Sequence, residues 1–205
     1  ASGITISSGG IQNISNGGSA VATIINRAGT ENISSGGTAL STTVNTSGIQ
    51  YVSLGGLASS ATLSGGTQTL SGTNAIAIST IISSGGSQQI LSGGYASATV
   101  ISSGGTENIS SGGIASGATI NSSGTQTIYS AGIASGATIS ASGIQNISNG
   151  GSAVATIINS AGTENISSGG TAISTTVNTS GIQYVSLGGL ASSATLSGGT
   201  QTLSG

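Results

Sequence analysis

The sequence predicts an all-β fold, a parallel β-helix (β-solenoid) with about 19 residues per rung and roughly ten rungs. The first observation behind this is repetition: a unit of 19 residues, typified by TENISSGGTALSTTVNTSG at 30–48, recurs from end to end. Periods of this size belong to stacked solenoid architectures. The second is that two places in every unit are always aliphatic. The third is punctuation: Gly-Gly and Ser-Gly pairs bound short alternating segments rich in β-branched residues, with no helical period.

In order, the units are 11–29, 30–48, 49–66, 67–86, 87–105, 106–124, 125–143, 144–162, 163–181 and 182–199, then the opening of another. The third is one residue short and the fourth one residue long, so the register recovers. Residues 144–205 repeat residues 11–72 at an offset of 133, seven units of 19. The copies differ only in Ser160 for Arg27 and Ile173 for Leu40, so the array grew by block duplication. Position 4 of successive units is Ile14, Ile33, Val52, Leu70, Ile90, Ile109, Ile128, Ile147, Ile166 and Val185. Position 15 is Ile25, Val44, Leu63, Ile82, Ile101, Ile120, Ile139, Ile158, Val177 and Leu196. Each unit reads as two short strands and two turns. A single unit cannot bury these side chains, but stacked units do, at roughly 1.5–3 kcal/mol per buried aliphatic. Alanine at position 10 (Ala20, Ala39, Ala58, Ala96) and Ala or Thr at position 13 suit a narrow interior.

Position 2 is always Gln or Glu (Gln12, Glu31, Gln50, Gln68, Gln88), yet it shares strand parity with the inward position 4. Either the amides stack as a ladder along the coil or a bend turns them outward. The expected arrangement is a ladder partly buried at the rim of the core.

Ile, Leu and Val number 44 of 205 residues, at the edge of the disordered class. Disorder also calls for high net charge, and this chain carries −2, so the strict spacing of the aliphatics decides for order. Rungs at about 4.8 Å make an array some 50 Å long. It reads as a single β-helical repeat domain over 1–205 without a composition break. Because it starts and stops in mid-unit, with open strand edges, it is expected to be a piece of a longer protein. No apolar run approaches the ~18 residues of a membrane span. The absence of cysteine suits a chain that crosses an envelope unfolded.

Catalysis fails by inventory. There is no His, Cys, Asp or Lys, which removes the usual triads, metal sites and Schiff-base chemistry. The only side-chain carboxylates are Glu31, Glu107 and Glu164, four and three rungs apart. That places them roughly 19 and 14 Å apart, whereas a glycosidase pair needs roughly 5–9.5 Å. No cofactor is expected. The Gly-Gly pairs lack the helix or Lys of a phosphate cradle and the Asp of a calcium β-roll. Nucleic acid is excluded by a single basic residue, Arg27, which has Glu31 four residues on as a possible partner across a turn. Tyr51, Tyr95, Tyr129 and Tyr184 are too scattered for a sugar-stacking platform and read as isolated surface residues.

What remains is a rod with a hydroxyl- and amide-rich outside and almost no charge. Nothing electrostatic keeps identical rods apart, and repetition turns weak contacts into avidity. Serines recur before the glycine pairs, as in Ser34-Ser35-Gly36-Gly37 and Ser83-Ser84-Gly85-Gly86, and are expected to stand exposed at one-rung intervals. They are equally good turn residues.

The pattern [T/I]-[Q/E]-x-[I/V]-S-S-G-G-x-A, then A/T-x-[I/V/L]-x-S-S/G-G, resembles the 19-residue repeats of the AIDA-type self-associating autotransporter adhesins, the group that includes TibA. Units such as TENISSGGIASGATINSSG match it, and the resemblance covers essentially the whole chain. It implies a right-handed β-helical passenger, exported through its own C-terminal barrel and displayed on the outer surface of a Gram-negative bacterium. It implies autoaggregation with identical passengers, biofilm formation and adherence to a host-cell receptor whose identity the sequence does not reveal. It also implies serine O-heptosylation by a cytoplasmic heptosyltransferase on connector serines, a covalent heptose being the only added group. The candidate acceptors are Ser34, Ser35, Ser83, Ser84, Ser102, Ser103, Ser110, Ser111, Ser122, Ser123, Ser167 and Ser168.

Two other readings compete. An ice-binding solenoid needs an unbroken threonine ladder, but position 1 runs Ile, Thr, Ile, Thr, Ser, and position 3 is as mixed, with Asn13, Asn32, Tyr51, Thr69 and Gln89. A passive stalk displaying a distal domain shares every structural feature of the adhesive rod.

Overall fold

Alternation within each short segment is the local cause of the fold. In unit 106–124, strands Thr106–Ile109, Ile114–Ser116 and Thr119–Ile120 turn Glu107, Ile109, Ala115 and Ile120 inward and leave Thr106, Asn108 and Ile114 facing out. A computed structural model describes all of residues 1–205 and contains 32 strands and no helix. Every unit has three strands where the spacing predicts two. The extra break is a single residue at position 12 in a left-handed conformation: Ala22 at φ 55°, Ser41 at 56°, Ala98 at 54°, Gly117 at 65°. One such residue turns the chain sharply, and only in three rungs does a glycine, Gly3, Gly117 or Gly136, mark it.

The strands form three parallel sheets that run the length of the rod. The glutamine face, positions 1–4, has 11 strands; the alanine face, positions 9–11, has 10; the isoleucine face, around positions 14–15, has 11. Each strand pairs with its equivalent one rung away, so like residues stack: Gln88, Glu107 and Gln126; Ala96, Ala115 and Ala134; Ile101, Ile120 and Ile139. The residue missing from unit 49–66 is lost from the turn after Leu63, and the extra one in 67–86 enters the turn after Leu70. Gln50, Gln68 and Gln88 therefore stay paired.

Two apolar stacks fill the interior. Position 4 aliphatics pack on position 10 alanines in one, and the position 15 aliphatics form the other. Small Ala opposite large Ile is what lets three sheets approach so closely. The connectors are set by the same crowding. In the Gly112-Gly113 pair, Gly112 takes φ 80°, while a Cβ on Gly113 would collide with the carbonyl oxygen of Ile90 in the preceding rung. The second glycine is therefore required by stacking, not by the turn itself.

Candidate functional site

Between the two apolar stacks runs a polar seam. The position 2 side chains from Glu31 to Gln183 are fully buried, and so are the threonines of position 13. Gln50 donates to Glu31 Oε2 at 2.6 Å, Gln68 to Gln50 Oε1 at 2.5 Å and Gln88 to Gln68 Oε1 at 2.5 Å. Threonines brace the ladder from across the rung, as Thr42 does to Glu31 at 3.2 Å and Thr99 to Gln88 at 3.2 Å. The ladder is thus wholly internal, deeper than the rim position expected, because the third strand closes the rung over it.

Burial pushes the carboxyls of Glu31, Glu107 and Glu164 above the usual carboxylate range, partly offset by hydrogen bonds from Gln50, Gln126 and Gln183. The three stay in separate rungs of the ladder, so no two carboxyls meet. The pairing of Arg27 with Glu31 that the sequence allows across a turn does not form: Glu31 is inside the rod and Arg27 is exposed. No cluster of three His, Cys, Asp or Glu side chains is present that could hold a metal ion. The one concavity lies at the last rung, lined by Val185, Leu187, Leu203 and neighbouring backbone.

The connector serines divide into two environments. Ser35, Ser84, Ser103, Ser111 and Ser168, second in their pairs, are exposed and sit at φ 48°, 51°, 47°, 53° and 47°. Their partners Ser34, Ser83, Ser102 and Ser167 are half-buried, and Ser110 is only 4% exposed. Ser122 and Ser123, in the same connector as Ser84 and Ser103, are both exposed, at φ 45° and 65°. Three sets of turn serines escape a search keyed to Ser-Ser-Gly. Ser47, Ser142 and Ser180 are exposed at φ 61°, 68° and 62°. Ser130 continues the Ser111 column, with Ser111 N–H bonded to its carbonyl at 2.7 Å. Ser41, Ser60, Ser79, Ser174 and Ser193 occupy the position 12 bend, exposed and left-handed. Only recognition of the third strand finds that column.

The outside is less uniformly polar than its composition implies. On the alanine face, Leu57, Ile76, Tyr95, Ile114 and Ile133 are in direct register over five rungs. Tyr95, Ile114 and Ile133 are 37–40% exposed, with Ile78 beside them at 39%. The column is about 19 Å long. Tyr95 is therefore part of an apolar stripe and not an isolated residue. Tyr51 and Tyr184 lie on the glutamine face and Tyr129 in a connector, so the tyrosines form no common platform. Elsewhere the surface is knit by asparagine pairs, Asn32 to Asn13 at 2.8 Å and Asn45 to Asn26 at 2.8 Å.

A three-faced parallel rod with an inert interior, a nearly uncharged outside and serine-lined connectors defines a β-helical scaffold whose work is done at its surface. The family described as "Adhesin of bacterial autotransporter system, probable stalk" matches residues 70–124. A crystal structure of a TibC-catalysed, hyper-glycosylated TibA fragment superposes with a TM-score of 0.79 at 36% identity, over 100% of this chain and 90% of that one. No curated protein sequence matches the chain. The chain belongs to the AIDA-type autotransporter adhesins, as a surface-exposed, non-enzymatic passenger segment of a bacterial autotransporter.

Proposed function

We propose that this segment holds bacteria together by binding other copies of itself side by side, contributes to biofilm and host-cell adherence, and accepts O-linked heptose on its connector serines. The observation that carries self-association is the apolar column Leu57, Ile76, Tyr95, Ile114 and Ile133, set on a rod with almost no charge to repel a second copy. A stripe running over five successive rungs offers an apolar contact at each of them, so each weak contact raises the effective concentration of the next. The hyper-glycosylation of the TibA fragment supports a modifying-enzyme partner for this chain. The exposed serines Ser35, Ser84, Ser103, Ser111, Ser122, Ser123 and Ser168 are its accessible acceptors. A sugar on buried Ser110 would have to displace packed neighbours. Anchoring through a C-terminal outer-membrane barrel belongs to the same reading.

The stalk description of the matching family favours a second reading, in which the rod only displays a distal domain. One experiment separates them. Bacteria displaying this segment alone are compared with bacteria displaying I76E/I114E/I133E, in settling assays with and without a heptosyltransferase. Aggregation that the triple variant abolishes supports adhesion through the stripe. Dispersed cells in every case leave a stalk. Intact masses of the purified segments from the same cells read the modification: a heptose ladder only with the enzyme identifies the chain as an acceptor, and a single unmodified mass removes glycosylation from the account.

A further inference from the structure

The internal ladder has a direction. Each glutamine gives its Nε2–H to the side-chain oxygen one rung earlier: Gln50 to Glu31, Gln68 to Gln50, Gln88 to Gln68, Gln126 to Glu107, Gln145 to Gln126, Gln183 to Glu164 and Gln201 to Gln183, at 2.5–2.6 Å. These are seven of the ten steps between Gln12 and Gln201. The open steps are Gln12–Glu31, Gln88–Glu107 and Gln145–Glu164, and they share one cause. The residue that should donate is a glutamate, with an oxygen where every glutamine carries NH2. Glu31 Oε1 and Glu107 Oε1 are buried with no partner at all. Glu164 Oε1 has only a 3.5 Å contact from the Thr175 hydroxyl.

An ionised carboxylate in these places would set a bare oxygen against the amide oxygen of the preceding rung, two acceptors with no proton between them. It would also be a buried anion without a counter-ion. Arg27 is exposed, the Ala1 ammonium bonds the Ser19 carbonyl at 2.7 Å, and Tyr51, Tyr95, Tyr129 and Tyr184 are surface residues. What faces the carboxyls is uncharged on every side. Glu31 has Gln12, Gln50, Thr23 and Thr42; Glu107 has Gln88, Gln126, Thr99 and Ala118; Glu164 has Gln145, Gln183, Thr156 and Thr175. The oxygens of Gln12, Gln88 and Gln145 each accept one threonine hydroxyl, at 3.1–3.2 Å, and keep a second lone pair for another donor.

We propose that Glu31, Glu107 and Glu164 are neutral carboxylic acids in the folded rod at pH 7, each donating its proton to the amide oxygen of Gln12, Gln88 or Gln145. The ladder then runs unbroken from Gln12 to Gln201, and the rod becomes a pH-responsive structure, more stable in acid than in alkali. Burial acts in the same sense, raising all three carboxyls above the ordinary glutamate value of about 4.5. Between about 4.5 and the raised folded value, the unfolded chain is ionised while the folded rod keeps its protons. The folded state therefore binds more protons, and stability falls as pH rises. Each acid lowers the folding equilibrium constant about tenfold per pH unit across that window. Above it, the protons leave to solvent and the ladder opens at three known places.

The chain holds only three glutamates, which makes the test direct. Selective 13C labelling of their carboxyl carbons gives three resonances whose shifts distinguish acid from carboxylate. The expected result is the acid position for all three at pH 7, moving to the carboxylate position only at higher pH. Carboxylate shifts for all three at pH 7 overturn the proposal. Denaturant unfolding of the parent and of E31Q/E107Q/E164Q then reads the consequence. The variant folds because glutamine already occupies the other ladder positions. Its stability is expected to be flat from pH 5 to 8, where the parent's falls. Identical pH profiles for the two proteins would refute the inference.

Discussion

Alanine replacements at Gly112 and Gly113 test the stacking argument, because two adjacent glycines of one turn are predicted to respond to different forces. At Gly112 the backbone has φ 80° and an added Cβ meets nothing within 4 Å, so Gly112→Ala carries only the left-handed penalty of about 1–2 kcal/mol. At Gly113 the backbone is ordinary, but the Cβ would overlap the carbonyl of Ile90, the group that accepts the Ser110 N–H at 3.0 Å. Relief requires the two rungs to part at this corner, which breaks that bond and strands a donor and an acceptor next to the core. At about 1–3 kcal/mol for each of these two buried unsatisfied groups, Gly113→Ala is expected to cost about 2–6 kcal/mol. Urea unfolding of the 205-residue segment, followed by far-ultraviolet circular dichroism, gives both values. A Gly112→Ala loss equal to or larger than that of Gly113→Ala would refute the view that close approach between rungs dictates the second glycine.

Other outcomes follow from the same geometry. Ile120, fully buried in the isoleucine stack, should lose about 2–5 kcal/mol on replacement by alanine; outward-facing Ile114 should lose under about 1 kcal/mol, both read by the same unfolding assay. Ala118→Thr places a hydroxyl beside Glu107 where Thr42 and Thr175 already serve Glu31 and Glu164. The added donor favours the ionised form, so the Glu107 carboxyl resonance should titrate at lower pH than in the parent. Peptide mapping of glycosylated material should find heptose on Ser111 and none on Ser110, since only the former is exposed.

Much of this protein was legible without coordinates, because a strict repeat reports its own architecture. Aliphatics at positions 4 and 15 recur with no slippage that the turns after Leu63 and Leu70 do not absorb, and that alone demands in-register stacking. The lack of charge and nucleophiles likewise speaks directly from composition, and the double Ser-Gly-Gly connector points to the adhesin family. Periodicity states which residues are equivalent, but not which way an equivalent set faces. Position 2 could stack or turn outward until the third strand closed over it. That strand begins after a bend made by Ala22, Ser41 or Ala98, residues that give no local sign of a left-handed φ, since the neighbouring rungs impose it. The same closure sorted Ser110 from Ser111, gathered Leu57, Ile76, Tyr95, Ile114 and Ile133 into one stripe, and carried Glu31 away from Arg27 into the interior. The sequence by itself determined that identical units must stack. Only the tertiary structure decided what each unit hides and what it presents, because burial in a solenoid is created by the rung before and the rung after.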